Sequence, residues 1–346
     1  MKQGRSIADL ATELGRQRDA KRDFVADTRV MVMEGAENLS IEDVGRFGMR
    51  PTFHRQISSR LNIPQKYYDR MLADAPGLLS DNVNHWFQHN PQSRMVRTLD
   101  DKARAFLSNR YRPIDNYDMA EVVLPIFEEV GVEVRSAEVT ESRMYIKGVA
   151  YHVNAEVEVG DLVAAGVIAS NSEIGLGSWK ISAFIERLVC KNGMVGTKEL
   201  VKYHTGQGNG DGDGHEFFKS DTLKADDKAL FLKTRDVVEG LLSQAKIEDA
   251  ALKFRGLTDD RIVGDPVKAV EVLSTKLDLS DHERGGVLKH LIQGGDLSAW
   301  GVVNAVTRQA EDVESYDRAT EIEGAGFKAV ELPQSEWAEV LRAGVN

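Results

Sequence analysis

The chain has 346 residues, of which 42% are hydrophobic and 29% charged, and a formal net charge of -11. This is ordinary for a globular protein and long enough for two domains, or for one with a helical appendage. No apolar run approaches the ~18 residues of a membrane span, the first residues (MKQGRSIADLATELGRQRDAKRD) lack the apolar core of a secretion signal, and the single cysteine, Cys190, excludes an internal disulfide. A reducing cytoplasm is the expected location.

The charge is unevenly spread. Residues 1–206 carry 27 basic and 28 acidic side chains, whereas residues 207–346 carry 17 and 27. The acidity belongs to the tail, which argues for a boundary near residue 207. It also weakens the objection that an acidic protein is a poor ligand for nucleic acid, whose phosphates are held by Lys and Arg.

In chain order, residues 6–22 predict a helix and Thr28 to Met33 a short strand. Thr52 caps a helix through Leu61, and Ile63-Pro64 opens another through Leu72. Asn82 to His89 forms a short helix on which His85 and His89 stand at i, i+4. That spacing suits two metal ligands on one face, but no third ligand is evident and no metal is expected. Residues 94–112 (RMVRTLDDKARAFLSNRYR) are the most basic stretch, with six cations against two acids. Tyr111 stands there between Arg110 and Arg112, a pairing that suits phosphate contacts with base stacking, although a solvated face fits equally.

Asn116 caps a helix whose apolar residues Met119, Val122, Val123, Ile126, Phe127 and Val130 form one stripe. Pro125 predicts a kink or a shorter helix, and Gly131 ends it. Val132–Val139 and Arg143–His152 read as paired strands. In the second, Arg143, Tyr145 and Lys147 share one face, either a stacking platform or the solvent side of an antiparallel sheet.

From Gly160 to Met194 an apolar strand, Leu162–Ala169, runs into the polar turn Asn171-Ser172-Glu173. Gly175, Gly177 and a second ordered segment ending at Lys191 follow, an arrangement that holds polar residues on a rigid frame. The run from Gly175 through Gly177 to Lys180 lacks the third glycine and the flanking elements of a dinucleotide fingerprint, and no P-loop pattern occurs. Cys190 reads as a buried structural thiol, and Lys180, Arg187 and Lys191 join the anion-binding candidates. In TGQGNGDGDGHE, residues 205–216, Asn209, Asp211, Asp213 and Gly214 imitate the start of a calcium loop. Ser220 stands where the bidentate glutamate belongs, so a mobile acidic loop is expected. The remainder predicts helices: one through Leu230 to Leu242, one opened by Asp265-Pro266, one by the capping box Ser280 to Glu283 and one by Ser298.

The expected fold is therefore α+β: a central antiparallel sheet packed with helices, plus a helical C-terminal module. The expected divisions are a mainly helical N-terminal region over 1–93, a central α+β domain over 94–206, a flexible acidic glycine-rich loop over 207–221 and an acidic helical module over 222–346.

Four motifs carry a resemblance: FLSNRYRPIDN, GVIASNSEIGLGS, ERLVCKNGM and WGVVNAVTRQAEDVESYDRATEIE. Together they resemble the phage- and plasmid-borne family called domain of unknown function 932, over about residues 50–325. The resemblance implies a protein of a prophage or other mobile element in a bacterial host cell. The order of elements from Asn116 to Gly193 is also similar, in topology, to the core of the Rad-fifty-two-type single-strand annealing proteins, which hold single-stranded DNA in a basic groove.

The first functional expectation is a non-enzymatic single-stranded DNA binding or annealing protein acting in recombination or replication, with no cofactor or metal and assembled as a homo-oligomer. Arg97, Arg104, Arg110, Arg112, Lys180, Arg187 and Lys191 would hold the backbone. Arg143 and Lys147 would share their strand face with Tyr145, and Tyr111 and Tyr145 would stack bases, each worth on the order of 1–3 kcal/mol. Asn171 and Ser172 would add hydrogen bonds to phosphate or sugar. The second is a metal-dependent hydrolase of nucleic acid or nucleotides, for which Asp115, Glu173 and His204 are the candidate ligands. The third is a structural protein of a mobile element whose acidic tail contacts a basic protein partner.

Overall fold

The computed structural model describes residues 1–204 and 220–345. The glycine-rich loop as far as residue 219, with Asn209, Asp211, Asp213 and Gly214, lies outside the described residues. The fold is α+β, with two antiparallel-dominated sheets and a helical C-terminal region.

Helix α1 (Ile7–Ala20) is capped by Ser6, whose hydroxyl accepts from the Asp9 backbone N–H at 3.1 Å. Strands β1 (Lys21–Asp27), β2 (Met31–Glu34), β3 (Asn38–Ile41) and β4 (Gly45–Met49) follow, then α2 (Pro51–Arg60), α3 (Gln65–Asp74) and α4 (Pro76–His89). Strands β5 (Ser93–Leu99) and β6 (Lys102–Ser108) complete a six-stranded sheet of order β1-β5-β6-β4-β3-β2. Residues 1–93 supply four helices and four strands; of these strands the sequence reading named one, over Thr28–Met33, which overlaps β2. The basic stretch 94–112 lies in this same sheet, since β5 pairs with β1 and β6 with β4. One face of the sheet, with Met31, Met33, Leu39, Ile41, Val96 and Phe106, is sealed by Phe53 and Ile57 of α2, Tyr68 and Met71 of α3, and Leu79, Val83 and Phe87 of α4.

Helix α5 (Asn116–Glu129) follows. Its stripe is buried at Met119, Val123, Ile126 and Phe127, and it continues through Pro125 to Glu129. Its cap residue is Asp115, one position before the Asn116 expected. Strands β7 (Glu133–Val139), β8 (Met144–Glu158), β9 (Asp161–Asn171), β10 (Trp179–Arg187) and β11 (Asn192–Lys202) form the second sheet, antiparallel throughout and in order β11-β10-β9-β8-β7.

The C-terminal region consists of α6 (Ser220–Leu241), α7 (Gln244–Asp259), α8 (Pro266–Lys276), α9 (Asp281–Gly294), α10 (Ala299–Gln309), α11 (Tyr316–Val330) and α12 (Gln334–Leu341). The expected caps form: Glu283 N–H donates to the Ser280 hydroxyl at 3.3 Å and Gly301 N–H to the Ser298 hydroxyl at 3.0 Å. Strand alternation gives the second sheet two apolar faces. Ile146, Val163, Val167 and Ile181 share a core with α5, α6 and α7, while Tyr145, Val149, Ala164, Ile168 and Phe184 meet Tyr316 of α11.

That second packing corrects one expectation. Tyr145 and Lys147 lie beneath α11, not on an open stacking face, and Lys147 is fully buried. Its Nζ donates to Glu323 Oε2 at 2.5 Å and stands 4.6 Å from the Tyr316 ring centroid. Among the described residues no helix is long and apolar enough to cross a membrane.

Candidate functional site: an arginine-lined cleft over a buried ion network

The two sheets meet through charge. Arg97, central in β5, is fully buried and extends toward the turn after β9. Its guanidinium donates to Asp23 of β1 at 2.9 Å, to Asp115 at 2.7 Å and to the Glu173 carbonyl at 2.9 Å. Lys21 closes a second ion pair on Asp115. Arg104 of β6, 7% exposed, donates to Glu173 Oε2 at 2.5 Å, and Glu173 Oε1 accepts from the Asn116 backbone N–H at 2.7 Å. Burial alone would raise the Asp115 pKa, but the Arg97 charge and the Lys21 hydrogen bond outweigh it and hold the carboxyl below its ordinary range. Burial likewise disfavours the Arg97 cation, yet Asp115 and Asp23 reverse the balance and raise its pKa. A buried charge left alone costs several kcal/mol, so such a network persists only where nearly every member is paired.

A second chain of bonds continues from it. Asn171 donates to the Ile114 carbonyl at 2.9 Å and to Asn116 Oδ1 at 3.1 Å, and its Oδ1 lies 2.9 Å from His204 Nε2. His204 stacks on Tyr111 with 5.2 Å between centroids, and the Tyr111 hydroxyl donates to the Ser172 carbonyl at 3.2 Å. Burial lowers the His204 pKa, keeping the ring neutral near pH 7. The turn at 172–178 is docked closely on β6. Gly175 has φ +75°, and a Cβ there would come within 2.7 Å of Leu107.

Above the network a cleft of about 170 Å³ opens between the sheets. Arg104, Asn116 and Glu173, all buried, form its floor, and Arg16, Arg50 and Arg143 stand around it with Glu13, Asp100, Glu141, Thr140 and Ser142. Arg16 pairs with Asp100 at 2.6 Å and Arg50 with Glu141, both partly exposed pairs. Arg143 donates to the Leu176 carbonyl. The carboxylates balance the arginines in number, so the cleft offers directed guanidinium donors more than net charge. Among the described residues, Nε of Arg50 and Nε of Arg104 are two of several buried side-chain atoms without a hydrogen-bond partner. Unpaired buried donors are rare in native folds.

The thirteen residues proposed from sequence divide sharply. Arg97, Arg104, Asn171 and Ser172 are interior and bonded within the seam, Tyr111 is stacked there, and Tyr145 and Lys147 are buried under α11. Six of these seven are buried and Tyr111 is half-buried, so none stands open to solvent; Arg104, though buried, lines the cleft. Arg143 also lines the cleft. Arg112 pairs with Asp226 and Asp227 of α6, and Arg187 with Asp161 at 2.6 Å. Arg110 and Lys191 are exposed and Lys180 half-buried, and none of the three lines the cleft. Arg16 and Arg50 were missed; Arg50 reads from sequence only as the residue before the proline that starts α2.

The alternative trio is brought together in part. Asp115 and Glu173 share Arg97, and His204 joins through Asn171, but each is already committed to a cation or an amide. Among the described residues no group of three or more His, Cys, Asp or Glu is placed to hold a metal ion. His85 and His89 stack on the exposed side of α4, their ring centroids 4.0 Å apart.

Residues 104–239 match the family model described as Domain of unknown function (DUF932), which bears out the family resemblance over that segment. The segment begins at the arginine that floors the cleft and includes Asn116, Arg143 and Glu173. No curated protein and no solved structure matches the chain.

Proposed function

We propose that this protein binds single-stranded nucleic acid without catalysing a reaction on it, as a cytoplasmic DNA-binding or annealing protein of a phage, prophage or plasmid. The observation that supports this reading is the convergence of four arginines from separate segments, Arg16, Arg50, Arg104 and Arg143, on one cleft. Guanidinium forks match phosphate geometry better than any other side chain, and Nε of Arg50 and Arg104 has no acceptor among the described residues. The ion pairs at the rim are exposed enough to exchange a carboxylate for a phosphate at small cost. The acidic C-terminal module repels a polyanion, which confines binding to the cleft side and leaves the module's surface for a basic protein partner.

Fluorescence anisotropy with labelled single- and double-stranded oligonucleotides at two salt concentrations tests the reading, with complementary-strand annealing measured in parallel. Salt-sensitive binding that prefers single strands, and is lost in Arg50→Ala/Arg143→Ala, is the expected result. Absence of binding at low salt sinks it.

A further inference from the structure

We infer that the cleft takes a phosphate monoester, the terminal phosphate of a strand, in preference to an internal phosphodiester; the inference rests on the nucleic-acid reading above. Volume is the first reason. At about 170 Å³ the cleft is well short of the ~300–1,000 Å³ that enclose whole small molecules. The cleft matches a phosphate group in size, and the rest of a strand lies outside it.

Its closed floor is the second. Arg104, Asn116 and Glu173 are buried where the cleft ends, so a chain threaded past its phosphate has no exit through the bottom, whereas a chain end needs none. Chemistry is the third. The Arg104 side chain is more than nine-tenths buried and the Nε atoms of Arg50 and Arg104 both lack acceptors among the described residues. A monoester presents three terminal oxygens and about -1.5 to -2 charge near pH 7, against two oxygens and one charge for a diester. Because four carboxylates offset the four arginines in this cleft, the second charge decides whether the phosphate outcompetes them. A neighbouring depression shares Arg50 and is lined by Lys102 and Glu37, where Lys102 is the cation nearest the next phosphate as the strand leaves.

The test titrates the full chain with one oligonucleotide sequence bearing a 5′-phosphate, a 3′-phosphate or hydroxyls at both ends. Inorganic phosphate and a nucleoside monophosphate serve as competitors, and direct calorimetry is run with the monophosphate. At least tenfold tighter binding of a phosphorylated end is expected, erased in Arg50→Ala and Arg143→Ala and partly restored in Arg50→Lys and Arg143→Lys, with unchanged circular dichroism. Equal binding of all three ends, with no competition by either small anion, overturns the inference and leaves nucleic-acid binding intact. Binding of the monophosphate without binding of any oligonucleotide supports the monoester chemistry, makes a free nucleotide its source and overturns the nucleic-acid reading. If neither binds, both fall.

Discussion

Charge is buried in two places in this fold, and the two are built differently. Under α11, Lys147 and Glu323 form a pair, both fully buried, with the Tyr316 ring beside the ammonium and, among the described residues, no partner for one Glu323 oxygen. Between the sheets, Arg97 and Arg104 are tied to four acceptors on three segments, and the network ends at an open cleft. The first arrangement fixes how a helix docks and has no route to a ligand. The second reaches an open cleft, which Arg104 and Glu173 line. Similar residue types are thus enclosed beneath a helix in one place and reach an open cleft in the other.

The sharpest way to break that contrast is at the pair under α11. Lys147→Met strands a buried carboxylate and is expected to cost about 3–5 kcal/mol, whereas Lys147→Met/Glu323→Leu recovers most of it; urea unfolding measures both. A double variant as unstable as the single one would mean that the pair specifies the docking of α11. In the seam, Arg97→Met leaves Asp115 with Lys21 and Asp23 with solvent, so a smaller loss of about 2–4 kcal/mol is expected in the same assay.

Helix α11 also carries a less buried pair, Arg318 with Glu283 of α9 at 2.7 Å. The Arg318 hydrogen bond lowers the Glu283 pKa from 4.5 to about 2 against the opposing effect of burial. A depressed carboxylate stabilises above its unfolded pKa, and the contribution is lost as pH falls from about 4.5 toward 2. Glu283→Gln should flatten the acid limb of the stability curve by on the order of 1–2 kcal/mol. The smallest stability effect belongs to the cleft rim: Arg50→Ala should change unfolding free energy by less than about 1 kcal/mol while reducing oligonucleotide affinity. A large stability loss there would make the rim structural.

Much of this was legible. Helical stripes, caps and the strand pairs around 132–169 follow from periodicity and turn chemistry, as α5, α9 and β7 to β9 show. Strand β1, KRDFVAD, was not, because its polar, half-exposed residues give no alternation and its extended form comes from pairing with β5. The misplaced site residues carried an unused signal. Arg97 sits in MVRTL, Arg104 in ARAFL and Lys147 in MYIKGVA, each a lone charge inside an apolar strand run, and such a charge is bound for the interior with a partner. Which partner could not be read, since Glu173 and Glu323 lie 69 and 176 residues away from theirs. Arg50 and Arg16 reach the cleft only through the meeting of the two sheets, which no local pattern records.

The most direct measurement is the arginine Nε–H spectrum of nitrogen-15-labelled protein, with the Arg50 and Arg104 signals assigned through Arg50→Lys and Arg104→Lys, titrated with a single-stranded oligonucleotide. Both signals are expected to shift and become protected from exchange at saturation, as the two Nε–H groups acquire a phosphate acceptor. If the oligonucleotide binds and both signals stay where they were, the cleft is not the site.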